Sequence, residues 1–358
     1  MDKHLLLIIF YGILNIFTYI IEGSKPRVYE QDPNSLYICK GQLGDYAACQ
    51  CKEDESSISC INAQFVHTNL FHQVNLYKSK ISKVTFHGNN FQQLPNNSLF
   101  GDTIHYQLTH LNISANYIME LGTGALKGMP NLKVLDLSNN EIVLKQSDLD
   151  FFTFTPKLEE LYLRKAFIFR YNHTGQFSIM MEMFRKANLM NLKYIDLSYN
   201  FLSSIPYNLP CPFPSIKMIN LRQNLLETVN MNTTCLKNIE TLDLSRNSFV
   251  GLDKNFTNFA DHLPEKSIIL RCNFHCDCHS SEYIKWIRST DIIREKNLLI
   301  CYKASPQTLT GARIVEVPLH QLDCSIPLNT TNAGTKNSSK FIYYILSILT
   351  IIISFVLL

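Results

Sequence analysis

The sequence has little excess of either charge: 33 lysine and arginine residues stand against 30 aspartate and glutamate residues, a formal net charge of +3. That balance gives no reason to propose nucleic acid as a partner, because proteins that bind it carry a dominant basic excess or stripe. Catalytic signatures are missing too. No G-x-S-x-G, H-E-x-x-H or P-loop stands in the 358 residues, so nothing in the chain supports an enzyme, and no cofactor is expected. A strong polar bias is also absent, with 46% hydrophobic and 18% charged residues, which argues against bulk disorder.

What is present is concentrated first at the two ends. Lys3 precedes an apolar run from Leu5 to Ile21, followed by Glu22-Gly23-Ser24. A short apolar run ending in small residues reads as a secretory signal peptide over residues 1–23. Phe341 to Leu358 is a second, uncharged apolar run. As a helix it would span ~27 Å, marginal for a bilayer. With no basic residue beyond it, this stretch is expected to be a glycosylphosphatidylinositol attachment signal, with Asn332-Ala333-Gly334 as the attachment triplet and Asn332 as the site. A transmembrane helix is the alternative, and either places the protein on the extracellular side of the plasma membrane. Asn-x-Ser/Thr sequons at Asn96, Asn112, Asn172, Asn232, Asn255 and Asn329 fit an exported glycoprotein, and Asn337 would leave with the tail.

Between the ends, one frame recurs, L-x-x-L-x-L-x-x-N-x-L. It is clearest at Leu132, Leu135, Leu137, Asn140 and Ile142. It also fits Ile81–Phe91, Leu108–Ile118, Leu192–Leu202, Ile216–Leu226 and Ile239–Phe249. Leu158, Leu161, Leu163, Ile168 is a copy with Ala166 at the Asn position, and Ile268, Leu270, Asn273 is a truncated last one. Successive copies begin 27, 24, 26, 34, 24 and 23 residues apart, near the period of leucine-rich repeats. Each copy supplies a short strand whose fourth and sixth positions point inward. Eight strands stacked at ~4.8 Å give a parallel sheet about 38 Å wide. No copy can bury its leucines alone, so neighbours stabilise one another. The Asn amide is expected to satisfy backbone groups of adjacent turns, and Ala166, before the 34-residue step, to interrupt that row. Ser178 to Asn188 reads as an amphipathic helix on the convex side.

These frames resemble the extracellular leucine-rich-repeat family with cysteine caps, of the trophoblast-glycoprotein, Nogo-receptor and Slit kind. The resemblance covers roughly residues 39–324 and implies an α/β solenoid, or horseshoe, with a parallel sheet on its concave face. Cys39, Cys49, Cys51 and Cys60 precede the repeats, and Cys276, Cys278, Cys301 and Cys324 follow them. Sequence alone allows three pairings within each set. The resemblance implies Cys39–Cys51, Cys49–Cys60, Cys276–Cys301 and Cys278–Cys324. It departs from the family at Asn273-Phe274-His275, where a proline is usual before the aromatic residue. Cys211 and Cys235 stand shortly before consecutive repeats and are candidates for a bridge between adjacent turns. Cys272 is then left over, at an outward or turn position. The expected organisation is a 24–60 N-terminal cap, about eight repeats over 61–275, a 276–324 C-terminal cap, a 325–340 polar stalk and the 341–358 tail.

His275-Cys276-Asp277-Cys278-His279 has the residue types of a zinc site. In an exported chain with matching downstream cysteines, disulfides are the better reading, and no metal is expected. His67/His72 and His105/His110, each pair five apart, do not share a helix face and read as surface histidines. The repeat register instead nominates the concave face. Tyr162, Arg164, Tyr194, Tyr199, Met218, Arg222 and Arg246 are its candidate ligand-binding residues, accompanied by Asp136, Glu160, Asp196 and Asp243. Tyr and Arg combine contact area with directed hydrogen bonds. The resulting expectation is a cell-surface adhesion molecule or co-receptor that binds an extracellular protein ligand and signals through a transmembrane co-receptor. Two other readings are innate recognition of an apolar microbial ligand near the N-terminal cap, and a metal-dependent enzyme built on residues 275–279.

Overall fold

The structure is a computed structural model that describes residues 49–52, 54–76, 81–168 and 173–325. The leader, Cys39, Asn172, Asn329, Asn332, Asn337 and the hydrophobic tail lie outside the described residues. Each frame contributes a strand of only two to five residues, too short to stand without neighbours. After β1 (Gln50–Lys52) and β2 (Ser57–Ile61) come β3 (Lys83–His87), β4 (His110–Asn112), β5 (Val134–Asp136) and β6 (Glu160–Tyr162). They continue as β7 (Tyr194–Asp196), β8 (Met218–Asn220), β9 (Thr241–Asp243) and β10 (Ile268–Ile269).

These strands form one sheet in chain order, parallel from β2 to β10. The fourth frame position stays in step throughout, as Val84, Leu111, Leu135, Leu161, Ile195, Ile219, Leu242 and Ile268 pair in turn. All eight are buried, and so are the sixth-position residues from Phe86 to Leu270. Burying each such side chain contributes about 1.5–3 kcal/mol, which is how three-residue strands hold their places. Where the frames alone give eight strands, the sheet has ten. The N-terminal cap folds as an antiparallel hairpin, β1–β2, whose second strand pairs with β3 in the repeat register, Ile58 opposite Val84.

The frame asparagines form the expected buried row. Asn116 Oδ1 accepts from Asn89 N at 2.8 Å, and Asn140 Oδ1 accepts from Asn116 N and Ile118 N at 3.0 and 3.1 Å. Asn224 Oδ1 accepts from Asn200 N and Leu202 N at 2.9 and 3.1 Å, and Asn247 Oδ1 from Leu226 N at 3.1 Å. The Nδ2 groups of Asn140, Asn200, Asn224 and Asn247 donate back to their own repeats, as Asn200 does to Leu197 O at 3.0 Å, while that of Asn116 donates to Phe86 O in the repeat before, at 2.7 Å. Ala166 supplies no side-chain oxygen, and Asn200 Oδ1 reaches back across the long step to Ala166 N and Phe167 N at 3.0 and 3.3 Å.

The extra residues of that step form α1 (His173–Ala187), which starts five residues before the stretch the sequence marks. Phe177, Met180, Met181 and Phe184 recur at helical spacing and are buried. Phe184 packs against Phe152 of the 3-10 helix Gln146–Phe154 and against Phe213, with ring centroids at 5.8 and 5.1 Å. Gln176 fixes the helix to the preceding repeat by accepting from Leu144 N at 2.6 Å and donating to Leu144 O at 2.9 Å. A second helix, α2 (Lys254–Ala260), is capped by Asp253, whose carboxylate accepts from Phe256 N at 2.7 Å.

At the C-terminal end, β11 (Phe274–Cys276) and β12 (Cys301–Ala304) form a parallel pair beside α3 (Ser281–Ser289). Phe274, at the departure from the family pattern, is buried with its ring 6.0 Å from that of Tyr283. The indole of Trp286 meets Phe256 edge-on at 6.1 Å and donates to Asp261 Oδ1 at 2.8 Å. This cap covers the raw end of the core, as a solenoid requires.

Candidate functional site

The parallel register arranges the outward strand residues in columns. One column runs His110, Val134, Glu160, Tyr194, Met218, Thr241, and the next runs Asn112, Asp136, Tyr162, Asp196, Asn220, Asp243. Tyr162 and Tyr194 meet diagonally at the centre, with ring centroids 5.0 Å apart. The Tyr162 hydroxyl donates to Glu160 Oε2 at 2.8 Å, and that of Tyr194 to Asp196 Oδ2 at 3.2 Å. Burial, helped by these carboxylates, pushes both phenols up, that of Tyr194 to about 12. Both therefore stay neutral, hold their hydrogen bonds and turn ring surface outward. Met218 lies beside Tyr194 and is 39% exposed.

The acidic column also has a local structural task. Asp136, Asp196 and Asp243 accept from the backbone N–H two residues on, Ser138, Ser198 and Ser245, each at 2.8 Å. Asn112 and Asn220 do the same toward Ser114 and Arg222, at 2.9 and 3.0 Å. These bonds turn the chain out of each strand, so sequence reasoning that took these residues only as surface groups missed their role. The repeated D-x-S was the available signal.

The structure divides the seven nominated residues into two groups. Tyr162, Tyr194 and Met218 are on strands. Arg164, Tyr199, Arg222 and Arg246 follow the strands and line the strand-end edge. Tyr199 and Arg246, like Asn139, Lys165 and Gln223, hold left-handed backbone at φ between 48° and 61°. Gly88 takes the equivalent place with φ 72°, where an added Cβ would lie 2.0 Å from Asn62 Oδ1. The Arg164 guanidinium lies over the Tyr199 ring at 4.4 Å, and Arg222 Nη1 donates to Ser245 Oγ at 3.1 Å. On the opposite, strand-start edge, Lys133 and Lys193 both pair with Glu159, at 3.0 and 2.6 Å.

The cysteines bond as Cys49–Cys60, Cys211–Cys235, Cys276–Cys301 and Cys278–Cys324. Cys51 is disulfide-bonded as well. With Cys276 and Cys278 oxidised, the 275–279 cluster offers no thiolate for zinc, although Cys278, His279 and Cys324 lie close together.

Cys272 is free and half-buried, so of the outward and turn positions expected from the sequence the outward one is corrected. It packs against the core, with Sγ 3.5 Å from Leu244 O and the backbone N–H groups of Asn247 and Phe249 beside the sulfur. Those are the groups the next frame Asn would serve, so Cys272 and not Asn273 ends the row. Burial pushes its thiol up to about 11.

The sequon residues Asn96 and Asn255 are exposed, Asn112 and Asn232 partly so. Near the N-terminal cap, an opening of about 470 Å³ is lined by Ser56, Ser82, Tyr106, Thr109, Asn131 and Lys133. Inside the core, a cavity between Leu137, Phe167 and Met183 measures about 10 Å³, room for one water at most. Among the described residues no helix is long and apolar enough to cross a membrane.

Comparison with known proteins gives a consistent result. Leucine rich repeat family models match residues 107–165 and 191–212. Trophoblast glycoprotein of Macaca fascicularis is 23% identical over 288 residues, covering 78% of this chain and 67% of the relative. Its Mus musculus counterpart is 24% identical, covering 79% and 68%. The crystal structure of human trophoblast glycoprotein superposes with a TM-score of 0.65 at 22% identity, over 78% of this chain and 99% of that one.

Proposed function

We propose that this chain, a leucine-rich-repeat solenoid with cysteine caps that is similar to trophoblast glycoprotein, is a recognition protein of the cell surface. In this reading it acts as an adhesion molecule or co-receptor and binds an extracellular protein ligand through its concave face. Attachment by the C-terminal apolar stretch and signalling through a transmembrane partner belong to the same proposal.

The observation that carries it is the Tyr162–Tyr194 pair at the middle of the sheet face, 5.0 Å between centroids with Met218 alongside. Tyrosine and methionine are enriched at the centres of protein interfaces, where ring area is gained at low conformational cost. The hydroxyls are already anchored to Glu160 and Asp196, so these rings are held ready before a partner arrives, which lowers the entropy cost of binding. A sheet face ten strands wide suits a macromolecule better than a small molecule, whose sites enclose it.

The test is a screen of cell-surface and secreted proteins with the full chain displayed on cells, followed by Tyr162→Ser with Tyr194→Ser. Loss of a specific ligand at unchanged surface display is the expected result. A ligand that binds the double variant as well as the original chain would remove the site from the concave face.

A further inference from the structure

The two edges of the sheet differ in how their charges are met. On the strand-start edge, Lys133 and Lys193 share Glu159, and Lys217 reaches Glu240 at 2.6 Å. On the strand-end edge of the same repeats, Arg164, Lys165, Arg222 and Arg246 form no ion pair among the described residues. The guanidinium of Arg164 rests on Tyr199 and that of Arg222 on a serine hydroxyl, so both keep free N–H groups. Beside them Phe201 is 62% and Leu225 48% exposed, on adjacent turns joined by the Leu225 N–H to Leu202 O bond at 2.8 Å. Phe201 also holds left-handed backbone at φ 57°, a conformation a bulky residue adopts at a cost. Four cations without an ion pair, on the same turns as an exposed Phe–Leu pair or on the turns to either side, are a surface missing its complement.

We propose that this edge is a second interaction surface and that it takes an acidic protein segment. The segment lays an apolar side chain on Phe201 and Leu225 while its carboxylates meet Arg164, Lys165, Arg222 and Arg246. Guanidinium groups favour carboxylates because two N–H bonds can form at once. Arg164 follows β6 and Arg222 follows β8, about 10 Å apart by the strand spacing, which suits carboxylates a few residues apart on an extended chain. A sulfated glycan or an anionic bilayer would answer the charges, but the Phe–Leu pair between them favours protein. The surface uses residues other than Tyr162, Tyr194 and Met218, so it stands or falls separately from the concave-face reading.

The chain's own repeats supply the variants for a test. Arg164→Ser and Arg222→Ser copy Ser138 and Ser198, while Lys165→Asn and Arg246→Asn copy Asn139 in its left-handed turn. Phe201→Asn copies Asn90, and Leu225→Ser copies Ser248. Cells displaying the full chain are titrated with a fluorescent glutamate–tyrosine copolymer, with polyglutamate, with a sulfated polysaccharide and with phosphatidylserine vesicles. The copolymer is expected to bind best. The four-cation variant is expected to weaken it at least tenfold, the Phe201/Leu225 variant several-fold for the copolymer but not for polyglutamate, and Tyr162→Ser with Tyr194→Ser not at all. Absence of copolymer binding, unchanged binding by the four-cation variant, or loss only in the tyrosine variant overturns the proposal. Tighter binding of the polysaccharide or vesicles, independent of Phe201 and Leu225, also overturns it and assigns the edge to that class.

Discussion

Replacing Asn200 with alanine tests the physics of the solenoid where it is under most demand. This side chain spans the long fourth step. Its Oδ1 accepts from Ala166 N at 3.0 Å and Phe167 N at 3.3 Å, and its Nδ2 donates toward Leu163 O at 2.8 Å and Leu197 O at 3.0 Å. Asn200 itself is fully buried, so water cannot take over these bonds without opening the core. Each buried group left without a partner costs about 1–3 kcal/mol. The two orphaned N–H groups alone give ~2–6 kcal/mol. For a repeat region of this size, with ~2–4 °C per kcal/mol, the melting temperature should fall by roughly 4–24 °C. The assay is thermal unfolding followed by circular dichroism on purified protein. Asn131→Ala serves as the control, because Asn131 makes a comparable 2.7 Å bond to Tyr106 O at the surface. That variant should move the melting temperature by about a degree or less. Equal shifts in the two variants would refute the claim that burial of the amide row, and not its bonds as such, sets the energy.

Other outcomes follow from the same structure. Cys272, half-buried against the core and with its thiol raised to about 11, should resist alkylation by iodoacetamide at pH 8 in the native protein and react after denaturation, as read by mass spectrometry of its peptide. Removing the Cys211–Cys235 bridge, which closes 24 residues, with paired serine substitutions should cost about 3 kcal/mol in the chain-entropy account, measured by denaturant unfolding. The hydrogen bonds of Lys193 and Lys133 hold the Glu159 carboxyl below its ordinary value. Its contribution is therefore present above the usual carboxylate range and lost as pH falls through the lowered value. Because the site is largely solvated, Glu159→Gln should cost at most ~1 kcal/mol at neutral pH, and the difference should vanish in acid.

How much of this was legible in the sequence depends on the range over which each residue acts. The repeat register was fully legible, because burial at every second strand position leaves its period in the residues themselves. The spacings between copies reappear unchanged as strand pairings from Val84 through Leu242. What the frame could not show was contact made outside it. The N-terminal hairpin joins the sheet through Ile58, a residue in no copy of the motif. Cys272 takes the last place in the amide row because the final repeat is one residue short there, and a sulfur can face the Asn247 and Phe249 N–H groups as an amide oxygen would. The face itself was half legible. Alternation found Tyr162 and Tyr194, but the left-handed turn after each strand moves Tyr199 and Arg246 to the edge. Gly88 and Asn139 at the equivalent positions were the sequence trace of that turn.

The most direct test of recognition through the concave face is site-specific photo-cross-linking on living cells. A benzophenone amino acid is placed at Tyr194, on the sheet, and in a second chain at Glu182, exposed on α1 across the core. The account predicts a discrete cross-linked partner protein from position 194 and none from position 182. Equal yields from both positions, or a product from 182 alone, would contradict it.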